Sequence, residues 1–206
     1  MPRTSDNAAM PAHAAATAAA QIARGWMLET SDPPRWDAAR SAYEAALAHD
    51  RSQPWALVGL ATCLSRLGDD GSGPALYAEA AAQAALAADA DPEMVELLGW
   101  CQYRLGRFDD AVASFERALA VDPRWVSVWF DLGLVALSRV DAAAPAHYRT
   151  AVQALVERAP TDRVDALRVA LGDLDDARLR DATLAASAVA SQIRATLVQA
   201  LGAGQA

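Results

Sequence analysis

Cysteine is scarce in this chain: 206 residues contain two, Cys63 and Cys101. That is too few for the disulfide framework of a small secreted scaffold. A chain of this length can bury a sufficient core without staples. Runs of β-branched residues are nearly absent, and 11 glycines and 10 prolines are too few for a collagen-like helix. An all-β domain and collagen are both excluded. Basic residues are outnumbered, 18 against 26 acidic, for a net charge of −8. An acidic chain is poorly suited to track a nucleic-acid backbone or an anionic membrane surface, so neither is expected as a partner. No segment supplies the roughly 18 strongly apolar residues that a membrane helix needs, and no membrane insertion is expected. Arg3 is followed by Asp6 and Asn7 rather than by a leucine-rich core, so the start does not read as a signal peptide. A cytoplasmic protein is expected.

What the chain does have is helix-forming residues. Hydrophobic residues make up 53%, and alanine is the largest contributor. The apolar fraction therefore signals helix propensity more than a bulky core. Residues 1–19 read as a disordered, alanine-rich leader in which His13 is isolated. The clearest pattern lies further on, in residues 92–123. Val95, Leu98, Gly99 and then Gln102 or Tyr103 recur at helical spacing until Gly106 interrupts them. A second stripe follows: Phe108, Ala111, Val112, Phe115, Ala118 and Leu119, ended by Asp122 and Pro123. This predicts a helix (A), a tight turn and a second helix (B). Gly99 and Ala111 are small where the helices must approach, and Phe115 and Leu119 fill the space beyond. Pro123 cannot continue the ladder of helix B but suits the turn into the next helix.

The pattern recurs with a period of about 34 residues, which is the mark of stacked helical hairpins. From Val126, helix A carries Trp129, Leu132, Gly133 and Ala136. From Pro54 it carries Leu57, Leu60, Ala61 and Leu64, with Gly68 at the turn. Near Ala20 it carries Trp26 and Met27, and the following helix B carries Trp36, Ala39, Tyr43, Ala46 and Leu47. Leu171-Gly172-Asp173-Leu174-Asp175-Asp176-Ala177 echoes the turn sequence that starts at Leu105.

These residues give the chain a resemblance to the tetratricopeptide repeat (TPR) family. The third repeat matches that family's pattern at Val95, Leu98, Gly99, Gly106, Phe108, Ala111, Phe115, Ala118 and Pro123. The resemblance covers roughly residues 20 to 184. It implies an all-α, right-handed solenoid of stacked antiparallel hairpins, with about four to five repeats and a C-terminal capping helix. One repeat domain is expected over 20–201, with repeats near 20–53, 54–91, 92–125, 126–160 and 161–187. A cap is expected at 188–201 and a frayed tail at 202–206.

The copies depart from the pattern in places. The first has Pro33-Pro34 near its turn instead of glycine, and the second an expanded turn, Asp69-Asp70-Gly71-Ser72-Gly73-Pro74. The second helix B is nearly all alanine, with Tyr77 and Leu86 as bulky members. In the fourth, Tyr148 and Ala151 suggest a slip of one residue after the turn at Asp141 to Pro145. The fifth has a short, polar first helix, and Arg178, Arg180 and Asp181 interrupt its second stripe.

Catalytic chemistry has little to work with. His13, His49 and His147 are scattered, and no zinc-protease, paired-cysteine, nucleophile-elbow, phosphate-loop or dinucleotide motif is present. The acidic turns lack the alternating oxygen ligands of a calcium loop and read as solvated helix ends. Cys63 and Cys101 take equivalent repeat positions, where small packed hydrophobes are expected rather than a disulfide. No enzyme activity and no cofactor or metal are expected.

The resemblance also implies a working surface, because helix A of each TPR lines a concave face. Carried over position by position, the second repeat contributes Trp55, Thr62 and Arg66. The third contributes Glu96, Trp100, Tyr103 and Arg104, and the fourth Phe130 and Leu134. Large apolar side chains beside arginines would suit a hydrophobic peptide or partner helix with a carboxylate for the guanidinium groups. The alternative is that Trp100 and Phe130 pack internally and the arginines are solvated. The expected function is a non-catalytic protein-binding adaptor or chaperone-like scaffold that holds a peptide or helix of a partner protein. A structural self-association module, with a homo-oligomer as its product, is the alternative.

Overall fold

The computed structural model describes residues 6–69 and 71–203, with side chains from residue 15 onward within them. Every regular element among these residues is an α-helix. The chain divides into two compact units, Met1–Ala90 and Asp91–Ala206. One continuous domain is expected from the sequence. The division falls at the boundary expected between its second and third repeats.

The first unit contains α1 (Asp6–Glu29), α2 (Trp36–His49), α3 (Pro54–Arg66) and α4 (Gly73–Ala87). The first helix thus begins inside the segment expected as a leader, while residues 1–5 and the His13 side chain lie outside those described. Tyr43 organises this unit. Its ring lies against the backbone of Gly25 on α1 and of Gly59 on α3, and a Cβ at either glycine would overlap it. Ala39, Ala46, Ala56 and Cys63 complete the buried cluster, with Ile22, Leu28, Trp36, Leu47 and Leu60 packed around it. The alanine-rich α4 buries Tyr77, Ala80, Ala81 and Ala84 but leaves Leu86 83% exposed, so only Tyr77 of the two bulky members expected there reaches the core.

The second unit begins with two hairpins, α5 (Pro92–Arg104) with α6 (Phe108–Val121), and α7 (Val126–Ser138) with α8 (Ala144–Leu155). Small residues on helix A again face an aromatic ring of helix B. A Cβ at Gly99 would stand 2.7 Å from Phe115 Cε1, and one at Gly133 2.6 Å from Tyr148 Cδ2. The fourth repeat keeps the pairing although Tyr148 comes one residue early. Phe130 adds a tilted ring contact with Tyr148 at 5.8 Å. Five helices, α3, α4, α5, α8 and α9, start with proline in the first turn, where its missing N–H costs nothing.

Three hairpin turns close in the same way. The N–H groups of Asp69, Arg107 and Asp141 donate to the carbonyls of Leu64, Gln102 and Ala136. The residue before each donor is left-handed: Gly68 at φ 85°, Gly106 at 74° and Val140 at 57°. This is the closure that favours glycine after a helix. Val140 adopts it at a steric cost that a β-branched side chain cannot avoid.

The fifth repeat differs from its expectation. Gly172 makes no turn; α9 runs from Pro160 to Arg180 through it. The reason is the buried stripe. Leu167, Ala170, Leu174 and Ala177 continue along one helix face across the glycine. A glycine inside a helix costs only about 1 kcal/mol relative to alanine. A short helix α10 (Ala182–Ala186) follows, with the Asp181 carboxylate accepting from the Thr183 N–H at 2.7 Å. The last helix, α11 (Ala188–Ala203), buries Ala190, Ile193 and Leu197 and packs on α8 and α9. It is the capping helix, and residues 204–206 lie outside those described.

Candidate protein-binding surface

On each helix A the buried stripe decides which side chains are left to face outward. In the first unit α3 buries Ala56, Leu57, Ala61 and Cys63. That leaves Trp55, Thr62 and Arg66 half-buried. The Thr62 hydroxyl is 3.2 Å from the Tyr77 hydroxyl. The Arg66 guanidinium lies over the Trp36 ring, 5.4 Å from its centre.

Beneath this stripe the Cys63 thiol donates to Glu29 at 3.5 Å. Burial first, and then the Glu29 charge, push both this thiol and the Tyr43 hydroxyl well above their ordinary ranges. A thiol so held is not a nucleophile. Cys101 in the second unit is pushed up to about 12 by burial, and it too is a free, buried thiol.

In the second unit the corresponding stripe is covered from within. Tyr103, Phe130 and Leu134 are buried, at 6%, 6% and 3% exposure. The Arg104 side chain is 5% exposed and reaches Asp176 of α9 at 3.7 Å. Asp176 also accepts from Arg180 at 2.9 Å. The Tyr103 hydroxyl is within hydrogen-bonding reach of Arg180 and of Ser138 on α7. The Arg104 guanidinium sits 5.7 Å from the centre of the Trp100 ring, and Trp100 lies 5.5 Å from Tyr103. From their register these side chains are expected to line one open face. In this structure Arg104 meets Asp176 of α9 and Phe130 packs on Tyr148 of α8, and Tyr103, Arg104, Phe130 and Leu134 are buried within the unit. Trp100 and Glu96 are half-buried.

Carboxyl groups from three helices gather near this contact. The Ser127 hydroxyl donates to Glu96. Burial and, less strongly, the charge of Glu93 hold Glu96 up at about 7, against the Ser127 bond that lowers it. Asp131 on α7 is raised well above the carboxylate range by burial, then by Glu96 and by Asp173 of α9. No group of three or more His, Cys, Asp or Glu among the described residues is placed to hold a metal ion.

Sequence reasoning missed Asp131 and the α9 residues Asp173, Leu174, Asp176 and Arg180. Of these, Arg180 carried a signal, as a polar residue that interrupts an expected helix B stripe. On α9, Arg180 and Asp176 instead meet Tyr103 and Arg104 of a helix A.

The tetratricopeptide repeat family model matches residues 77–120 and 98–163. No curated protein matches the chain in sequence. Among solved structures, pilF of Pseudomonas aeruginosa is similar, with 17% identity, 90% of each chain covered and a TM-score of 0.50. A thermophilic TPR protein of Thermus thermophilus shares 23% identity over 89% of this chain and 98% of its own, with a TM-score of 0.49. Residues 77–163 thus match the tetratricopeptide repeat family in sequence, and the described residues share its fold of stacked helical hairpins.

Proposed function

We propose that the protein is a non-catalytic adaptor whose helix A faces hold a peptide or helix of a partner protein. The observation that carries this reading is that one such face already holds a helix. The α9 segment packs on α7 and reaches α5 through its buried Asp176 carboxylate, set against Arg104. A face that accepts one helix has the shape and charge to accept another of the same chemistry. Trp100 supplies a rigid platform beside the guanidinium, and Trp55, Thr62 and Arg66 offer a second stripe in the first unit. Scattered histidines and two thiols with raised pKa favour binding over catalysis. A cytoplasmic location belongs to the same reading.

The test is cross-linking of co-purified partners with the wild type and with an Arg66/Arg104/Trp100 triple alanine variant. Cross-links should map to α3, α5 and α7 and fall in the variant. Cross-links confined to α4, α6 or α8 would overturn the reading. One observation favours the alternative of self-association: Trp26 and Met27 on α1 are 51% and 71% exposed. Mass measured over a range of concentrations separates the two, since self-assembly needs no second protein.

A further inference from the structure

The α9 helix does not sit as a fifth helix A would. It packs on α7, α10 and α11, and α11 is the helix that lies against α8. From there α9 reaches across to α5 through Asp176 to Arg104 and Arg180 to Tyr103. We infer that α9 is a built-in occupant of the α5/α7 face, and that the partner is an amphipathic helix which displaces it by presenting the same leucine and carboxylate. The inference rests on the proposed function, and it names both the partner's chemistry and the step that admits it.

Three features support displacement. The first is the contact itself. Leu174 is fully buried, and two residues later Asp176 is buried with it, in a pair closed by two arginines. A buried ion pair contributes little net stability but specifies one docking position, because an occupant without the carboxylate forfeits the contacts to Arg104 and Arg180. The second is an opposing force. Docking brings Asp173 of α9 towards Asp131, which already faces Glu96 on α5 and the Tyr148 hydroxyl on α8; Glu93 lies beside Glu96. Attraction at one end of α9 is set against the cost, further back along it, of gathering Asp131, Glu96 and Asp173 and holding Asp131 protonated. The third is the pair of joints. Residues 156–162 before and at the start of α9 are all exposed, and extended residues Asp181 and Ser187 separate α9, α10 and α11.

The experiment uses the full chain and a fluorescent synthetic peptide of residues 160–180. In the wild type the tethered helix competes at an effective concentration on the order of mM, so added peptide should not bind at micromolar levels. Asp176→Lys places a third cation against Arg104 and Arg180 and should release α9. Hydrogen exchange should then show α9 amides losing protection while α5–α8 keep theirs. The wild-type peptide should bind this variant at least about tenfold more tightly than it binds the wild-type chain. Adding Arg104→Glu to the variant should re-dock α9 and abolish peptide binding.

Loss of protection throughout α5–α8 would make α9 an integral part of the fold and overturn the inference. So would an α9 that stays protected, or a released face that ignores the peptide. A partner cross-linked outside the helix A faces, with α9 release as described, would remove the proposed function alone. A partner on the α5/α7 face with α9 protection unchanged would remove this inference alone.

Discussion

The two units build their hairpins from the same parts and differ in what covers helix A. In the first, Tyr43 presses on Gly25, and in the second Phe115 presses on Gly99. Arg66 and Arg104 stand at equivalent repeat positions. Arg66 is half-buried over Trp36, whereas Arg104 is shut against Asp176 of α9. The pairing within a hairpin is therefore a property of the repeat. The state of the binding face is a property of whatever segment the chain lays on it.

The largest test concerns what the units share. Gly25→Leu and Gly99→Leu should each destabilise their own unit by roughly 3 kcal/mol or more, because the side chain has nowhere to go but into an aromatic ring. Urea unfolding with hydrogen exchange assigns the loss to a unit. A cost below about 0.5 kcal/mol would mean that the hairpin packing described is wrong.

Arginine substitution tests what the units do not share. Arg104→Ala removes one of the two arginines that meet the buried Asp176 and should cost on the order of 2–3 kcal/mol. Arg66→Ala removes a half-exposed ring contact and should cost about 0.5–1 kcal/mol. Equal costs, measured in the same denaturation series, would erase the distinction between the faces.

Val140→Gly is expected to stabilise the second unit by about 1 kcal/mol, since it relieves a left-handed valine and the added chain freedom offsets only part of the gain. Gly106→Val, at the equivalent turn, should do the reverse. Thermal unfolding of the pair checks the sign.

The smallest effect is that of pH. Glu96 and Asp131 are raised in the folded second unit. Their contribution is fully present below the unfolded pKa and is lost as pH rises through the folded one. For Glu96 that window runs from 4.5 to about 7. The second unit should thus weaken across it, by about 1 kcal/mol or less for a half-buried carboxyl. In the first unit Asp50 is lowered by its bonds from Ser52 and Gln53, so its contribution is present above the unfolded pKa and lost in acid. Chemical-shift titration of these three carboxyls reads both signs directly; an ordinary pKa for Glu96 would remove the predicted slope.

Much of the fold was legible because it depends on neighbours along the chain. The spacing of Leu98, Gly99, Gly106, Phe108, Ala111 and Phe115 specifies a small face, a left-handed turn and a large face. Trp100, Tyr103, Arg104, Phe130 and Leu134 were grouped on one surface by register alone. Gly172 misled because its local sequence copies a hairpin turn, while the buried stripe that decides the matter runs through it. Asp131 went unnoticed because a single carboxylate on a helix carries no sign of what faces it.

The sequence by itself determined that helices pair, where most of them turn and which residues share a face. These follow from periodicity and from the sterics of glycine, proline and aromatic rings within a few turns of one another. Only the tertiary structure decided that α9 packs on α7 and reaches α5 with Asp176 inside. That choice balances one buried ion pair against gathered carboxylates between segments some 70 residues apart, and no local pattern encodes such a balance.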